Sequence, residues 1–388
     1  MKFILTNLIF LFYLFPLYSN MFTVRGIVVD YNTGLPIQYA CVFIANTTVG
    51  IISNDKGEFQ LSFSNVGISN LVVTHVSYQT FITNITENED SLYILIKLKP
   101  KIYGIEAVNI YKKDPNRKNK IRVFSEGLLG QSNNALSCRI LNPSVLNLKG
   151  KKILSWNLEV RADSMLIISN KNLGYRIKFD LVYFEKSFNS IIYFGYPFFE
   201  DCIDEVRNPE RILSNRKNTY EGSKLHFFRS LYFHSLQEEG YEIYRLIPCQ
   251  KDNIDQRNFS LLEDSIVTGD AKIKLKQSNQ QFNLYEYLTL DSISGTKNLT
   301  IDEPFEIRYT GRGEENRYKG LHYYYEGLNR IPKAQVSIVK LKNGHIRFYS
   351  NGAIEKSDEL ISIGYWSFKR LADLLPNNYS VSKYNKIP

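Results

Sequence analysis

The fold is decided by residues 24–98. This stretch opens with Val24-Arg25-Gly26-Ile27-Val28-Val29-Asp30 and turns at Gly34-Leu35-Pro36. Proline fixes φ and has no amide hydrogen for a sheet, so the tripeptide separates two strands. The second strand is the apolar run 40–45. The loop Asn54-Asp55-Lys56-Gly57 then closes a hairpin, because its glycine supplies a positive φ.

The rest of the stretch has the periodicity of half-buried strands. Glu58-Phe59-Gln60-Leu61-Ser62-Phe63 alternates strictly, which places its three apolar side chains on one face. Apolar runs at 71–76, 78–82 and 92–98 bring the total to about seven strands at sandwich spacing. The sequence therefore predicts a seven-stranded β-sandwich over residues 22–99.

The turn residues of this sandwich resemble those of the carboxypeptidase-regulatory-like domain, whose fold is transthyretin-like. Ser77 stands where that family more often has glycine. The matching positions are structural, so the resemblance implies a fold and no catalytic residue. It also implies an envelope setting, since in Bacteroidetes-type proteins this module stands before outer-membrane receptors or periplasmic domains. The residues that carry it are Gly26, Val28, Asp30, Gly34, Pro36, Ile37, Ala40, Val42, Asp55, Gly57 and Phe59.

The N-terminus predicts export. Residues 1–20 place Lys2 before a mostly apolar run that ends near the small, polar Ser19, the pattern of a signal peptide. An uncleaved anchor is the alternative, although the run is shorter than the roughly 20 residues of a membrane span. No cysteine follows the run, so a lipid anchor is not expected, and no later segment reaches spanning length. The expected location is periplasmic, outer-membrane-associated or secreted.

The composition is that of a globular protein with two or three domains. Of the 388 residues, 44% are hydrophobic and 22% charged, which excludes wholesale disorder. The net charge of +9 is dispersed: much of it lies in residues 112–120, and the rest is mixed with acids, as in residues 312–317. Because a nucleic-acid groove needs a concentrated basic surface, no nucleic-acid partner is expected.

The larger remainder predicts a β-rich α+β domain over residues 123–388, after a strand and a basic linker at 100–122. A short helix is expected at 123–129 and another at 367–375, with strands between them. The one clear amphipathic helix is predicted at 220–239, ended by Gly240. Its apolar residues recur at three- to four-residue spacing: Leu225, Phe228, Leu231, Tyr232 and Leu236.

This remainder resembles a group of uncharacterised envelope proteins, and that resemblance implies no reaction. It rests on spaced motifs rather than on one signature. The motifs are residues 124–143, Asn170 with Leu173-Gly174-Tyr175, Tyr220-Glu221-Gly222-Ser223 with His226-Phe227, and Gly364-Tyr365-Trp366.

The motif of a zinc carboxypeptidase is absent from the sequence. A zinc carboxypeptidase needs an H-x-x-E pair and a distant histidine converging on one metal. None of the five histidines has glutamate three residues later: His75, His226, His234, His322 and His345. Serine-hydrolase elbows, phosphate loops and dinucleotide fingerprints are also missing. We therefore expect no metal and no cofactor.

The best remaining acid–base candidates lie on the predicted helix. His226 and His234 would be about 80° apart around it, with Arg229 beside His226. A neighbouring cation disfavours metal binding, so the favoured interpretation is a helix flank packed on a sheet.

The cysteines and two aromatic runs leave alternatives open. Cys41 lies in an apolar strand and is expected to be a small buried residue. A disulfide among Cys138, Cys202 and Cys249 remains an alternative in an exported protein. The runs Tyr193-Phe194-Gly195-Tyr196 and Tyr323-Tyr324-Tyr325 suit either sugar stacking or sheet packing, and packing is favoured.

These observations predict a non-catalytic exported envelope protein that binds or scaffolds an envelope protein or glycan through its β domains. The alternative is a hydrolase of peptidase or glycosidase type, with its site near residues 220–239. A cleft holding two carboxylates, or a histidine within hydrogen-bond reach of a carboxylate, would favour the hydrolase. A flat or tyrosine-rich exposed face would favour the binding protein.

Overall fold

The computed structural model describes residues 21–64, 69–85, 91–101, 114–152, 156–187, 190–248, 275–321 and 333–381. The predicted signal peptide, most of the predicted linker, Cys249, His322 and the run 323–325 lie outside these residues. The described part is mainly β, as predicted, with several sheets and several helices.

The N-terminal unit is a sandwich of two sheets. In one, β1 lies between β4, to which it is antiparallel, and β7, to which it is parallel. The other has the order β3-β2-β5-β6. Phe59, Leu61 and Phe63 are all buried between them, which confirms the alternation prediction. The strands are β1 (Met21–Asp30), β2 (Cys41–Ile44), β3 (Gly50–Ile52), β4 (Glu58–Ser64), β5 (Ser69–His75), β6 (Tyr78–Ile85) and β7 (Ser91–Leu98).

The second unit is a six-stranded sheet with order β8-β11-β12-β10-β9, and with β13 on the long strand β12. Its core includes Phe124 and Leu128 of α1 and, from the C-terminal segment, Leu371. The elements are α1 (Arg117–Leu129), α2 (Asn133–Leu136), β8 (Cys138–Ile140), β9 (Leu146–Lys152), β10 (Trp156–Ala162), β11 (Leu166–Asn170), β12 (Tyr175–Lys186) and β13 (Ile191–Asp201).

Helix α1 starts earlier than the predicted helix at 123–129. Its first turns belong to the segment interpreted as a solvated linker, but their cations have partners. Lys120 is buried and pairs with Asp114 at 2.9 Å, and Arg117 donates to the carbonyl oxygens of Pro143 and Leu146, both at 3.1 Å. A basic segment that pairs with other parts of the protein has the same composition as a basic solvated linker. The local sequence therefore could not distinguish the start of α1 from a linker.

The third unit packs helix α4 against a five-stranded sheet, β15-β14-β18-β19-β21, and a three-stranded sheet, β16-β17-β20. Phe227, Phe228 and Leu231 of α4 enter this core. The elements are α3 (Pro209–Tyr220), α4 (Lys224–Tyr232), β14 (Tyr241–Pro248), β15 (Leu275–Gln281), β16 (Leu288–Asp291), β17 (Thr296–Thr300), β18 (Phe305–Tyr309), α5 (Asn316–Leu321), β19 (Gln335–Leu341), β20 (His345–Phe348), β21 (Leu360–Gly364) and α6 (Tyr365–Phe368).

The prediction of a single helix over residues 220–239 is wrong. Gly222, with φ +77°, separates α3 from α4, and the Ser223 hydroxyl caps α4 by accepting the His226 N–H at 3.1 Å. After Tyr232 the chain leaves the helix, and His234 takes φ +58°. The helical spacing of apolar residues extended to Leu236 although the helix does not, because the turn after α4 brings Leu236 back into the same core.

The amphipathic helix expected from the sequence is one of several, since α1 and α3 are longer than α4. Helix α3 escaped detection because its buried face is largely polar. Arg216 is fully buried there, donating to the Leu173 carbonyl at 2.8 Å and to Asp201. The expected helix at 367–375 is wrong: α6 is followed by a separate 3-10 turn, Leu371–Asp373.

The sandwich docks on the second unit through the tip of its β2–β3 hairpin. Asn46 donates to the Pro197 carbonyl at 2.7 Å, and the Thr47 carbonyl accepts the Phe199 N–H at 3.0 Å. The Asn46 carbonyl also accepts the Asn377 N–H at 2.6 Å. An apolar cluster that includes Phe43 and Phe198 seals the contact. The hairpin tip is thus held between β13 and the C-terminal segment.

Candidate binding cleft

A cleft of about 460 Å³ lies where the three units meet. Its volume is within the roughly 300–1,000 Å³ of small-molecule sites, which occur preferentially at domain boundaries. Five parts of the chain line it: the sandwich (44–47 at the end of β2 and in the next turn, 69–70 on β5 and 84 on β6), β13 (193–196), the start of α4 (223–225), the loop 349–358 without residue 350, and the C-terminal segment (within 366–377).

The aromatic run on β13 forms one wall of the cleft. Tyr193, Phe194 and Tyr196 are each half-buried, and the Phe194 and Tyr196 rings meet edge to face at 5.2 Å. Burial raises the pKa of Tyr193 to about 12, so its hydroxyl is neutral. The packing favoured from the sequence is present, and the same side chains also face the cleft.

Lys224 is the cation that sequence reasoning missed. It occupies the first turn of α4, and its Nζ lies 6.0 Å from the centre of the Trp366 ring, another part of the wall. Part of its surface remains accessible within the cleft, yet burial lowers its pKa to about 8. In the described part of the chain it has no carboxylate partner. The one local signal was a basic residue in a first helical turn, where the dipole disfavours it.

Two further charged residues of the wall, Arg370 and Asp373, are hydrogen-bonded to residues outside the cleft. Arg370 donates to the carbonyl oxygens of Gly127 at 2.6 Å and Ser367 at 3.1 Å. The Asp373 carboxylate accepts the Ser132 hydroxyl at 2.6 Å and an Asn134 amide hydrogen at 2.9 Å. Burial lowers the pKa of Arg370 and raises that of Asp373. Both side chains are therefore fixed in place.

Arg229, a candidate from the sequence, supports the cleft from outside it. Its guanidinium donates to the Asn351 carbonyl at 2.7 Å and to the Asn377 carbonyl at 2.8 Å. It also lies 5.4 Å from the centre of the Tyr220 ring. Asn351 and Asn377 belong to different walls, so Arg229 links two loops of the cleft.

His226 meets the distance criterion for a histidine–carboxylate pair but is committed to the fold. Its Nε2 lies 3.0 Å from Glu239 Oε2, and its Nδ1 accepts the Gly222 N–H at 3.2 Å. An accepting Nδ1 places the hydrogen on Nε2, which donates to Glu239. Burial lowers the pKa of His226, although Glu239 acts in the opposite direction, so the imidazole is neutral. Within the described residues, neither His226 nor Glu239 belongs to the cleft wall.

His234 lies beyond the helix that was expected to present it. Its ring stacks on Tyr285 at 4.5 Å, and burial, together with Lys297, lowers its pKa. The described ranges contain no group of three or more His, Cys, Asp or Glu residues that could hold a metal ion. The structure therefore does not assemble His226, His234 and Arg229 into one site.

Comparison with known families identifies the sandwich. The family model of the CarboxypepD_reg-like domain matches residues 24–110. The N-terminal part of the chain is a CarboxypepD_reg-like domain. The match leaves the C-terminal walls of the cleft unassigned, and no curated protein matches the chain.

Three solved structures show faint similarity to the chain. Klebsiella pneumoniae 5-hydroxyisourate hydrolase is 16% identical over 21% of this chain and 94% of its own, with a TM-score of 0.18. A Cyanothece 9R-lipoxygenase is 9% identical over 55% and 49%, with a TM-score of 0.17. A putative membrane-associated Bacteroides fragilis protein of unknown function is 9% identical over 89% and 97%, with a TM-score of 0.18. At these TM-scores the likenesses say nothing about the activity of this chain.

One acidic motif residue of the CarboxypepD_reg-like domain, Asp30, is structural. The Asp30 carboxylate accepts the N–H groups of Thr33 and Asn32, both at 2.8 Å, and the Tyr78 hydroxyl at 2.9 Å. These bonds, that from Thr33 foremost, lower the pKa of Asp30. Asp30 therefore closes the turn after β1, and the domain contributes to the cleft elsewhere, through the β2–β3 turn and the ends of β2, β5 and β6.

Three cysteines of the described residues are free thiols: Cys41, Cys138 and Cys202. Cys41 packs against the Phe43–Phe198 cluster, and burial raises its pKa to about 11. Burial raises the pKa of Cys138 to about 12. Such thiols are weak nucleophiles at neutral pH, so neither is a catalytic candidate.

Among the described residues, no helix is long and apolar enough to cross a bilayer.

Proposed function

We propose that this protein is an exported, non-catalytic cell-envelope protein that binds a small ligand in the cleft between its CarboxypepD_reg-like domain and the units that follow. The observation that carries the proposal is the cleft itself. It has the size of a ligand site, and its walls come from all three units. Export is supported by the signal-peptide pattern of residues 1–20.

The walls of the cleft suit binding, because they are held in place before any ligand arrives. Arg229 links the Asn351 and Asn377 loops, and Arg370 is anchored on the Gly127 carbonyl. A preformed site loses less conformational entropy when a ligand binds. Preorganisation of this kind favours a ligand site over an accidental gap between domains.

A hydrolase is the second candidate, because His226 and Glu239 lie within hydrogen-bond distance. The role of general base requires a free imidazole nitrogen facing the substrate. Both ring nitrogens of His226 are hydrogen-bonded, one to Glu239 and the other to the Gly222 N–H. Within the described residues, neither His226 nor Glu239 lines the cleft. Peptidase or glycosidase turnover by the mature protein that disappears in His226→Gln would establish the hydrolase and overturn the binding proposal.

Ligand binding is tested with the mature chain, residues 21–388, and a variant whose cleft is filled. Ala353 lines the cleft, so Ala353→Trp fills it, whereas Ile293 is 98% exposed and Ile293→Trp is the control. A library of small metabolites and saccharides is screened by thermal shift. We expect ligands that stabilise the wild type and Ile293→Trp but not Ala353→Trp. The proposal fails if no compound stabilises the wild type, or if Ala353→Trp responds equally.

Export is tested separately by fractionating cells that express the full chain. The protein should appear outside the cytoplasm, and deletion of residues 2–20 should retain it inside. Recovery of both forms in the cytoplasm would contradict export without affecting the cleft.

A further inference from the structure

The geometry of the cleft points to its ligand class: we infer that it binds small ring-bearing organic anions, carboxylates or phosphates, and that Lys224 holds the anionic group. This inference rests on the proposed function, since it names the chemistry of the same cleft.

The charged side chains of the cleft wall differ in how well they are compensated. Its carboxylates have donors or solvent: Asp373 accepts two hydrogen bonds, Glu355 pairs with Arg347 at 3.5 Å, and Asp358 is exposed. Two of its cations, Lys224 and Arg370, have no carboxylate partner among the described residues, whereas Lys369 interacts with Asp373 and acts against the rise that burial causes in the pKa of that carboxyl group. The wall therefore carries unbalanced positive charge.

Lys224 is the least compensated of these cations. Arg370 donates to two carbonyl oxygens, and the Lys369 Nζ lies 4.9 Å from the centre of the Tyr365 ring. Among the described residues, the contact given for the Lys224 ammonium is the more distant Trp366 ring, 6.0 Å away. A partly buried ammonium without an anion costs free energy, and a ligand carboxylate or phosphate would offset that cost.

The position of Lys224 on α4 strengthens this argument. Lys224 and Leu225 are the first two residues of the helix, and both line the cleft. The N-terminal end of a helix carries partial positive charge and favours an anion nearby. The positive charge of Lys224 is therefore unfavourable at this helix end when the cleft is empty. It becomes favourable when a bound anion lies between the Lys224 ammonium and the N-terminal end of α4.

The aromatic side chains of the cleft wall are the reason for expecting a ligand that carries a ring. Tyr193, Phe194 and Tyr196 on β13 and Trp366 on α6 all line the cleft. Aromatic faces stack on the faces of sugar and aryl rings. A ligand with an anionic group at Lys224 and a ring against this wall would use both features.

Anion binding at Lys224 should be coupled to proton uptake. The free ammonium has a pKa of about 8, and a bound anion raises it, so the complex takes up protons near that pH. Tyr193 and Tyr196 of the wall titrate higher, since burial raises the pKa values of both. The other charged groups of the wall are Glu355, Lys356, Asp358, Lys369, Arg370 and Asp373.

The experiment compares matched anionic and neutral probes on the mature protein by titration calorimetry. The pairs are galacturonate with galactose, benzoate with benzyl alcohol, and phenyl phosphate with phenol. At least one anion should bind at least about tenfold more tightly than its neutral partner. The carboxylate and phosphate arms show which anionic group is preferred.

Variants of Lys224 then separate charge from structure. Lys224→Met should weaken anion binding about tenfold or more, whereas Lys224→Arg should retain binding. At pH 8, buffers of different ionisation enthalpy should reveal uptake of about half a proton by the wild type and none by either variant. Lys217→Met removes an exposed lysine outside the cleft wall and should change neither quantity.

Each outcome decides a specific point. Anions that bind no better than their neutral partners, or unchanged binding and proton uptake in Lys224→Met, overturn the inference. If neutral compounds bind and Ala353→Trp blocks them, the proposed function stands and the anion inference alone fails. If neither these probes nor the library bind, both fail. Lys224→Arg keeps the test valid if Lys224→Met does not fold.

Discussion

Phe43 and Phe198 pack with their ring centres 5.3 Å apart across the boundary between the CarboxypepD_reg-like domain and the six-stranded sheet. Phe43 is fully buried and Phe198 is 7% exposed, so this boundary resembles a core more than a tethered contact. The cleft lies beside this boundary, and the position of the sandwich residues in the cleft wall depends on this packing.

Replacing Phe198 should therefore destabilise the docked arrangement. Phe198→Ala leaves a cavity against Phe43 and should lower the free energy of unfolding by about 3–5 kcal/mol. Urea denaturation measures the change, and a new early transition would report undocking of the sandwich. Ile192→Ala, at a 53% exposed position of the same strand, should stay within about 0.5 kcal/mol of the wild type. Equal effects of the two variants would contradict core-like packing at the boundary.

His226 should make the protein less stable in mild acid. The fold lowers the pKa of His226 below its ordinary 6.5. As pH falls below about 6.5, the unfolded chain takes up a proton that the folded chain does not, so folded stability decreases; above that pH the contribution is constant. The free energy of unfolding, measured in urea from pH 7.5 to 5, should decline in the wild type.

The slope of the free energy of unfolding against pH, compared between variants, shows whether His226 causes the loss of stability in acid. His226→Gln should flatten it in part, because the pKa values of His75 and His234 are also lowered and their contributions remain. His345→Gln, at an exposed position, should keep the wild-type slope. A wild-type slope in His226→Gln would show that the imidazole is not the neutral, buried group described above.

Removing Arg229 should loosen the cleft. Arg229→Met leaves the carbonyl oxygens of Asn351 and Asn377 without their charged donor, at a cost of about 2–3 kcal/mol. Ligands found by the screen should bind more weakly as well, because the two loops lose their link. Arg122 is exposed and pairs only with Glu126 among the described residues, so Arg122→Met should cost less than about 0.5 kcal/mol. Unchanged ligand affinity in Arg229→Met would separate Arg229 from the cleft.

Gly222 should tolerate no side chain. It has φ +77°, and a Cβ there would lie closer than van der Waals contact to Gln335 and Tyr309. Gly295 has φ +62° and open space where a Cβ would lie, so Gly295→Ala should cost only the backbone strain of about 1–2 kcal/mol. Gly222→Ala should exceed that cost clearly in thermal or urea unfolding. Similar values would mean that Gln335 and Tyr309 move aside.

The sandwich was predictable because its signals are local. Alternation at Phe59, Leu61 and Phe63 and the glycine of the turn at Gly57 depend on residues a few positions apart, and both are realised. Helix α3 was missed for the opposite reason. Its buried face rests on Arg216, whose partners Leu173 and Asp201 lie in other elements. Local sequence shows a polar segment, and only the fold shows that the arginine is inside.

Residue type and short spacing were enough to predict the β-sandwich and the largely β character of the chain, and to show that a zinc carboxypeptidase motif is absent. The cleft and the roles of the candidate residues depend instead on contacts between distant segments. The tertiary structure committed His226 to Glu239 and the Gly222 amide, joined Arg229 to two loops, and placed Lys224 in one cleft with an aromatic strand. Those relationships join segments far apart in the chain, and they are set by packing between units rather than by any local pattern.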